Sequence, residues 1–334
     1  MGKQLFYTWC FIALVFVSGK SHANHKPIEV KVFVAAMFEI GENTGDKAGE
    51  FQHWYERYFT DSKPIFVSGA KSSVYCNESG VCGSTLGMGK VASSASMLAI
   101  LLNPLFNLDK AYFVLSGVAG TPPSKGTIGD VTLASWLIDY DLGHRWAPEE
   151  GKLGAPTFMP RKGYEDIRRY QLNSQLVAWC YKLALNAKLK DSKSAQAYGA
   201  RYTQQQARRS PKILIGTHMT GDTFFHGPGL SAEAQYIASL YGADDYIATE
   251  MEAAAITQVI NRLHGTQRVI SLRGSVNFDQ GNENESTLAH LDPAPGETAG
   301  GFTETVENIV SVGAKITDHI IANWDVWKDK IPEF

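Results

Sequence analysis

Apolar runs rich in β-branched and aromatic residues recur along the chain at 30–38 (VKVFVAAMF), 64–70, 111–117, 130–138, 212–218, 245–250 and 268–275. Between them, apolar positions return at helical spacing over 50–58, 90–102, 166–185, 232–241, 251–263 and 304–324. Strands this apolar predict burial on both faces, and their alternation with helices predicts crossover connections. The expectation is an α/β fold: a single domain with a mostly parallel central sheet flanked by helices. No internal repeat, low-complexity tract or long linker interrupts the pattern. The stretch 191–210, with clustered Lys, Gln and Arg, reads as a solvated helix and loop insertion. The stretch 279–296 is acidic and rich in Asn, Gly and Pro, and reads as a surface connection or as a lid over a site.

The first residues, MGKQLFYTWCFIALVFVSGKSHA, combine Lys3, an apolar run from Leu5 to Val17 and a small-x-small end at Ser21-His22-Ala23. This is the pattern of a signal peptide over 1–23, which leaves 24–334 as one exported domain, periplasmic or secreted. An uncleaved anchor is the competing reading, but the apolar run falls short of the roughly 20 residues a span needs. No later segment comes closer, so no integral membrane domain is expected.

A composition of 44% hydrophobic and 19% charged residues permits a large core, while a net charge of -3 supplies no basic field. Nucleic acid held through its phosphates is thereby disfavoured, and a small ligand fits better. Of the cysteines, Cys10 lies in the leader. Cys76 and Cys82 flank Asn77-Glu-Ser-Gly80 between two short β-like runs, where an oxidising compartment would allow a disulfide across a hairpin. Cys180, in LVAWCYKLAL, reads as a small buried hydrophobe. These spacings make no zinc site, so neither metal nor cofactor is expected.

Three stretches carry candidate chemistry. In Ala248–Ile256, ATEMEAAAI, Thr249 as N-cap and Glu252 three residues on form a capping box, or Glu252 offers a ligand its carboxylate. In Gly83–Ser93 a phosphate loop fails at Ser84 and Val91. The glycines Gly87 and Gly89 with Ala92 imitate a dinucleotide turn, yet the next strand ends without an acidic residue. What remains is backbone N–H at a helix start near Gly89, facing a polar or anionic group. In TGDTFFHG, Phe224 and Phe225 beside His226 read as core aromatics with a polar neighbour, or as a surface for a flat ligand. No H-E-x-x-H, G-x-S-x-G or Cys/His pairing supports metalloprotease or triad hydrolysis.

Four ordered segments then coincide. LSGVAGTPPSKGTIGDVTLASWLIDYD (115–141), TLGMGKVASSAS (85–96), THMTGDTFF (217–225) and TEMEAAAI (249–256) resemble the purine nucleoside phosphorylase and nucleosidase superfamily. They match its T-G-x-A-G to G-D-V-V segment, its G-x-G-K-x-x-A helix start, its S-G-D-x-F purine loop and its V-E-M-E-A-A-x-I ribose segment. MFEIGENTGDKAGEFQHW, RGSVNFDQG, the insertion near 186–210 and the leader are most similar to the purine nucleoside permease family.

The resemblance implies a nucleoside phosphorylase-like fold and a purine nucleoside as ligand, with phosphate as a second one if the reaction is phosphorolysis. Glu252 would take the ribose hydroxyls, Met251 would pack beneath the sugar, and Phe225 or Phe224 would line the purine. Gly117, Ala119 and Gly120 would let the backbone approach the ligand. At the purine N7 the first choice is Asn277, where nucleosidases carry Asp, and the second is Asp279. The carboxylate that polarises water is sought among Glu39, Glu42 and Glu50, with Glu50 favoured because it opens a helix. Leu115 and Val118 stand where phosphorylases carry Arg and Ser for phosphate, with Lys90 or Ser93 as substitutes, so hydrolysis is favoured over phosphorolysis. The rival is a catalytically silent nucleoside-binding protein that serves uptake. Superfamily members pair subunits so that a neighbour completes the sugar site, which implies a homo-oligomer.

Overall fold

Six of the seven β-branched runs form strands as expected, while 64–70 keeps only an isolated bridge between Ile65 and Val74; the lengths of the connections decide how the strands pair. The computed structural model describes residues 26–152, 154–293 and 298–333; the expected leader over 1–23 lies outside them. Seven strands carry the architecture: β1 (Val32–Ala36), β2 (Val81–Thr85), β3 (Tyr112–Thr121), β4 (Val131–Asp139), β5 (Ile213–Thr220), β6 (Tyr246–Glu250) and β7 (Val269–Phe278). β2, β1, β3 and β7 run parallel to one another, as do β4, β5 and β6. The two groups meet antiparallel where β7 pairs with β4 and β6 with β3.

The sheet is therefore mixed, and β3, β7, β4, β5 and β6 close on one another as a barrel-like ring. This corrects the expectation of a mostly parallel central sheet flanked by helices. The physical reason lies between Thr121 and Val131: the intervening segment holds no helix and is too short for the dozen or more residues a parallel crossover needs, so the chain enters β4 reversed. Across the ring, the buried His218 on β5 is held between Thr132 of β4 at 3.0 Å and Ser271 of β7 at 3.2 Å. Burial, with Arg273 nearby, lowers its pKa to about 3, so the imidazole is neutral.

Apolar faces settle the helices. α2 (Lys90–Leu101) and α5 (Ala253–His264) bury Met97, Ile100, Ile256 and Ile260 in one core cluster. α1 (Gln52–Tyr58), α3 (Ser174–Ala184) and α6 (Phe302–Ala322) bury Trp54, Leu176, Cys180, Ile309 and Ile316 in another. The helix expected over 166–185 is broken. Arg169–Gln171 pairs antiparallel with the edge of β4, and α3 starts only after Asn173, whose side chain accepts the N–H groups of Gln175 and Leu176. α4 (Pro228–Leu240) follows the purine-like loop.

The insertion over 191–210 is more than a solvated appendage, because Tyr198 and Tyr202 are buried and pack against Phe278 at the end of β7. The stretch 279–296 holds a short helix, Thr287–Leu291. Cys76 and Cys82 form a disulfide that ties strand Tyr75–Cys76 to β2. Among the described residues no helix is long and apolar enough to cross a membrane.

Candidate functional site

β6 ends in Glu250, and what that carboxylate does determines what Glu252 is free to do. Glu250 Oε2 accepts the N–H groups of Glu252 and Ala253, each at 2.8 Å, and Thr220 Oγ1 accepts that of Ala254 at 2.9 Å. These bonds satisfy the first donors of α5. The expected capping box is thus replaced: Thr249 lies within β6, Glu252 occupies the N-cap position, and its side chain makes no cap bond. The Glu252 carboxylate turns instead toward Gly89 N at 2.8 Å and Arg273 Nη2 at 3.2 Å. Gly89, at φ +81°, supplies that N–H from a conformation other residues rarely adopt.

Arg273, 1% exposed, comes from the middle of β7 and binds three segments. Its Nη2 lies 2.7 Å from Glu250 Oε2, and its Nη1 donates to the Val118 carbonyl at 3.2 Å. Gly117 is the reason it fits: a Cβ there would sit 2.5 Å from Arg273 Nη1 and 2.8 Å from Glu50 Oε1. Glu50 is held by the N–H groups of Val118 at 2.7 Å and Met37 at 2.8 Å. The three glutamate candidates separate here. Glu39 caps α1 by accepting the N–H groups of Gly49, Phe51 and Gln52, Glu42 is exposed, and Glu50 alone faces the pocket.

That pocket encloses about 180 Å³. Glu50, Glu252 and Arg273 supply its polar wall; Met37, Met88, Met251 and Ala119 supply an apolar one. Burial raises the pKa of Glu50 to about 7; Arg273 opposes this and Glu252 adds to it. Burial likewise raises Glu252, against Arg273 and with Glu250. Burial alone would lower the pKa of Arg273, but Glu250, Glu252 and Glu50 outweigh it and raise it, so the guanidinium stays charged among three carboxylates.

Phe224, Val276 and Asn277 form the pocket's mouth and also line an outer cleft of about 720 Å³. A register shift between Ser275 and Asn277 in β7 sets both mouth residues of that strand, as a bulge does. Gly120 leaves room for them, since a Cβ there would lie 3.0 Å from Asn277 Nδ2 and 3.5 Å from Phe224 Cζ. Asn277 Nδ2 donates to the Phe278 carbonyl at 2.9 Å.

Two candidates go elsewhere. Phe225 is buried and stacks on Tyr140 with centroids 4.3 Å apart, so it serves the core. Asp279 is fully buried behind the mouth, where it accepts the Tyr246 hydroxyl at 2.9 Å and burial raises its pKa to about 6. It does not line the pocket, which leaves Asn277 as the candidate for the purine N7 at the mouth.

The start of α2 also differs from expectation. Its donors meet the protein's own carboxylates: Gly89 N binds Glu252, and Lys90 N binds Asp222 Oδ1 at 2.7 Å. Lys90 Nζ pairs with Asp139 at 3.1 Å and Asp141 at 2.8 Å, and Ser93 Oγ donates to the Gly89 carbonyl at 2.7 Å. Neither substitute proposed for phosphate is free. Among the described residues no cluster of three metal-ligating side chains occurs. Arg273 and Glu250, central to this site, were not singled out by sequence; their signal is a charge inside each of the apolar runs 268–275 and 245–250.

The family model described as purine nucleoside permease matches residues 29–332. A purine nucleoside permease of Candida albicans is 26% identical over 332 residues, covering 92% of this chain and 78% of that protein. Among solved structures, the 5′-methylthioadenosine/S-adenosylhomocysteine nucleosidase of Neisseria meningitidis superposes with a TM-score of 0.52 at 18% identity, covering 86% of this chain and 99% of that one. The futalosine hydrolase of Helicobacter pylori gives a TM-score of 0.55 at 16% identity, covering 87% and 98%. The fold of these hydrolases is shared.

Proposed function

The chain belongs to the purine nucleoside permease family, and we propose that it binds purine nucleosides in the inner pocket and cleaves their N-glycosidic bond with water, after export from the cytoplasm. The observation that carries this reading is the buried set of Glu50, Glu252 and Arg273 around a small, half-apolar pocket. Glu252 has lone pairs left for the ribose 2′ and 3′ hydroxyls, and Met251 offers the sugar an apolar floor. Bond cleavage builds positive charge on the ribose and negative charge on the purine, and fixed groups stabilise each where it develops.

Glu50, with a pKa of about 7, suits a general base near neutral pH. Water forms its bond to C1′ and gives its proton to Glu50, while the C1′–N9 pair leaves with the purine. Asn277 hydrogen-bonds N7; an amide gives no proton, so the leaving base takes one from solvent. The engagement of Lys90 by Asp139 and Asp141 supports water over phosphate. The same Asn277, where nucleosidases carry Asp, favours the second reading, a protein that binds nucleosides for uptake without cleaving them.

Met88, 64% exposed although it lines the pocket, is followed at the start of α2 by Val91, 81% exposed. This supports a homo-oligomer in which a second copy covers that edge. Product analysis with adenosine and inosine, with and without phosphate, tests the reaction. Free base and free ribose regardless of phosphate support hydrolysis, ribose-1-phosphate overturns it, and binding without products leaves the uptake reading.

A further inference from the structure

A polar chain that the reaction above does not use runs from the outer cleft, which His226 and His290 line, into the core at Tyr202. His226 follows Phe224 in the same loop, and Gly227 N donates to the Asp279 carbonyl at 2.7 Å, which ties that loop to the chain just past Asn277. The His226 ring stacks on His290 with centroids 4.5 Å apart, and its Nε2 is in hydrogen-bond contact with His290 Nδ1. His290 Nε2 lies 3.0 Å from the Tyr202 hydroxyl, which lies 3.0 Å from the Gln280 carbonyl. Burial lowers the pKa of both histidines, so both rings are neutral and each carries one N–H.

The chain is open at one end. His226 Nδ1 has no partner among the described residues, although the residue is 9% exposed and lines the cleft. A buried imidazole nitrogen left unpaired is unfavourable; Nδ1 itself is closed to solvent, so a ligand atom satisfies it once the His226 ring turns toward the cleft as the base seats.

We propose that His226 reads the exocyclic group at C6 of the purine, and that His290 and Tyr202 act through it as positioning residues that let one site accept an amino or an oxo group. This rests on the inner pocket being the sugar site. N7 and the C6 substituent share one edge of a purine, so a base with its face on Phe224 and N7 at Asn277 presents C6 toward the loop that carries His226.

The proton count gives two neutral arrangements. In one, Tyr202 donates to Gln280, His290 Nε2–H donates to Tyr202, His226 Nε2–H donates to His290, and His226 Nδ1 accepts from a 6-amino group. In the other, Tyr202 donates to His290 Nε2, His290 Nδ1–H donates to His226, and His226 Nδ1–H donates to a 6-oxo group. The second leaves the Gln280 carbonyl without its hydroxyl, so amino bases are modestly preferred.

The test is calorimetric binding of the free bases purine, adenine and hypoxanthine, which report the base subsite without turnover. The wild-type protein is expected to bind adenine and hypoxanthine about tenfold tighter than purine, which lacks a C6 group. His226→Phe should bring all three to parity at the affinity of purine. Tyr202→Phe removes the acceptor of His290 Nε2–H and should move the adenine-to-hypoxanthine ratio several-fold toward hypoxanthine. A preference for the substituted bases that survives His226→Phe, or loss of purine along with them, overturns the proposal. If His226→Phe fails to fold, an unchanged ratio in Tyr202→Phe overturns it. Failure of every base and of purine riboside to bind the wild-type protein overturns the nucleoside reading beneath it.

Discussion

The inner pocket and the outer cleft share Phe224, Val276 and Asn277 as a common wall, yet they are built from different material. The inner pocket is made of strand ends and helix starts, and its carboxylates are engaged: Glu50 by Val118 and Met37, Glu252 by Gly89 and Arg273, Glu250 by the first N–H groups of α5. Beyond that wall the outer cleft is made of loops, a short helix, the insertion and the start of α6, and its polar chain ends on a nitrogen with no partner among the described residues. Charge chemistry needs dipoles that do not reorganise, which closed β-structure supplies. Recognition of a variable substituent suits segments that can differ without disturbing that frame. Under the proposed function, the contrast gives the reaction to the sheet and the choice of base to the loops.

The strongest challenge to that contrast is removal of the shared cation. Arg273→Met would leave Glu50, Glu250 and Glu252 buried without their counter-charge, and breaking a buried ion pair in this way costs about 3–5 kcal/mol. Urea unfolding should show the loss, and turnover should vanish. A stability near wild type would mean that the carboxylates are not held as described and that the inner pocket is no more rigid than the cleft.

Glu50→Gln separates chemistry from binding. Turnover should fall about 10²–10⁴-fold while the nucleoside still binds, because general-base assistance is lost. In the wild-type protein kcat/KM should fall on the acid side with a midpoint near 7, the pKa of the buried carboxyl, and the variant should lack that limb. Stability carries the opposite sign. A carboxyl whose pKa is raised on folding binds its proton more tightly in the folded state, so its contribution is full below about 4.5 and is lost as pH rises through about 7. Denaturation across that window should therefore slope less steeply in Glu50→Gln, although Asp279, raised to about 6, keeps part of the slope in both proteins.

Glu252→Ala divides sugar from base. Hydrogen bonds to a charged group contribute about 1.5–3 kcal/mol each, so nucleoside affinity should drop on the order of 100-fold while free-base affinity is unchanged. Parallel losses for nucleoside and base would erase the division between the two regions.

The sequence makes these regions legible to different degrees, for physical reasons. Glu252 and Met251 sit in a local motif, where short spacing carries position along a helix start. Choosing Glu50 over Glu39 needs to know which carboxylate caps α1, and both lie close to that helix in the chain. The ring closure depends on a count of residues between Thr121 and Val131 that apolar patterning does not register, so the reversal of β4 is not legible in it. Arg273 and Glu250 read as isolated charges in strands because their meaning arises only when β6 and β7 converge. The relay joins Tyr202, His290 and His226 from three separate segments, and no spacing links them. Legibility thus follows sequence distance: what one turn or one strand assembles can be read, and what the ring assembles cannot.

The smallest expected effect addresses the shared wall itself, where two adjacent residues of one type do different work. Phe224, 39% exposed, lies at the mouth, and stacking against a base contributes about 1–3 kcal/mol. Phe224→Ala should weaken binding of adenine and hypoxanthine about tenfold at the lower end of that range, and the melting temperature should barely move because little core is lost. Phe225, 1% exposed and stacked on Tyr140, predicts the reverse split under the same substitution, with stability lost and base affinity kept in whatever protein remains folded. Calorimetry and thermal melting on the pair read both quantities. If Phe225→Ala is the variant that loses the base, the loop is turned by one residue from the arrangement described. His226 would then face the core rather than the cleft, and inner pocket and outer cleft would no longer divide the work between them.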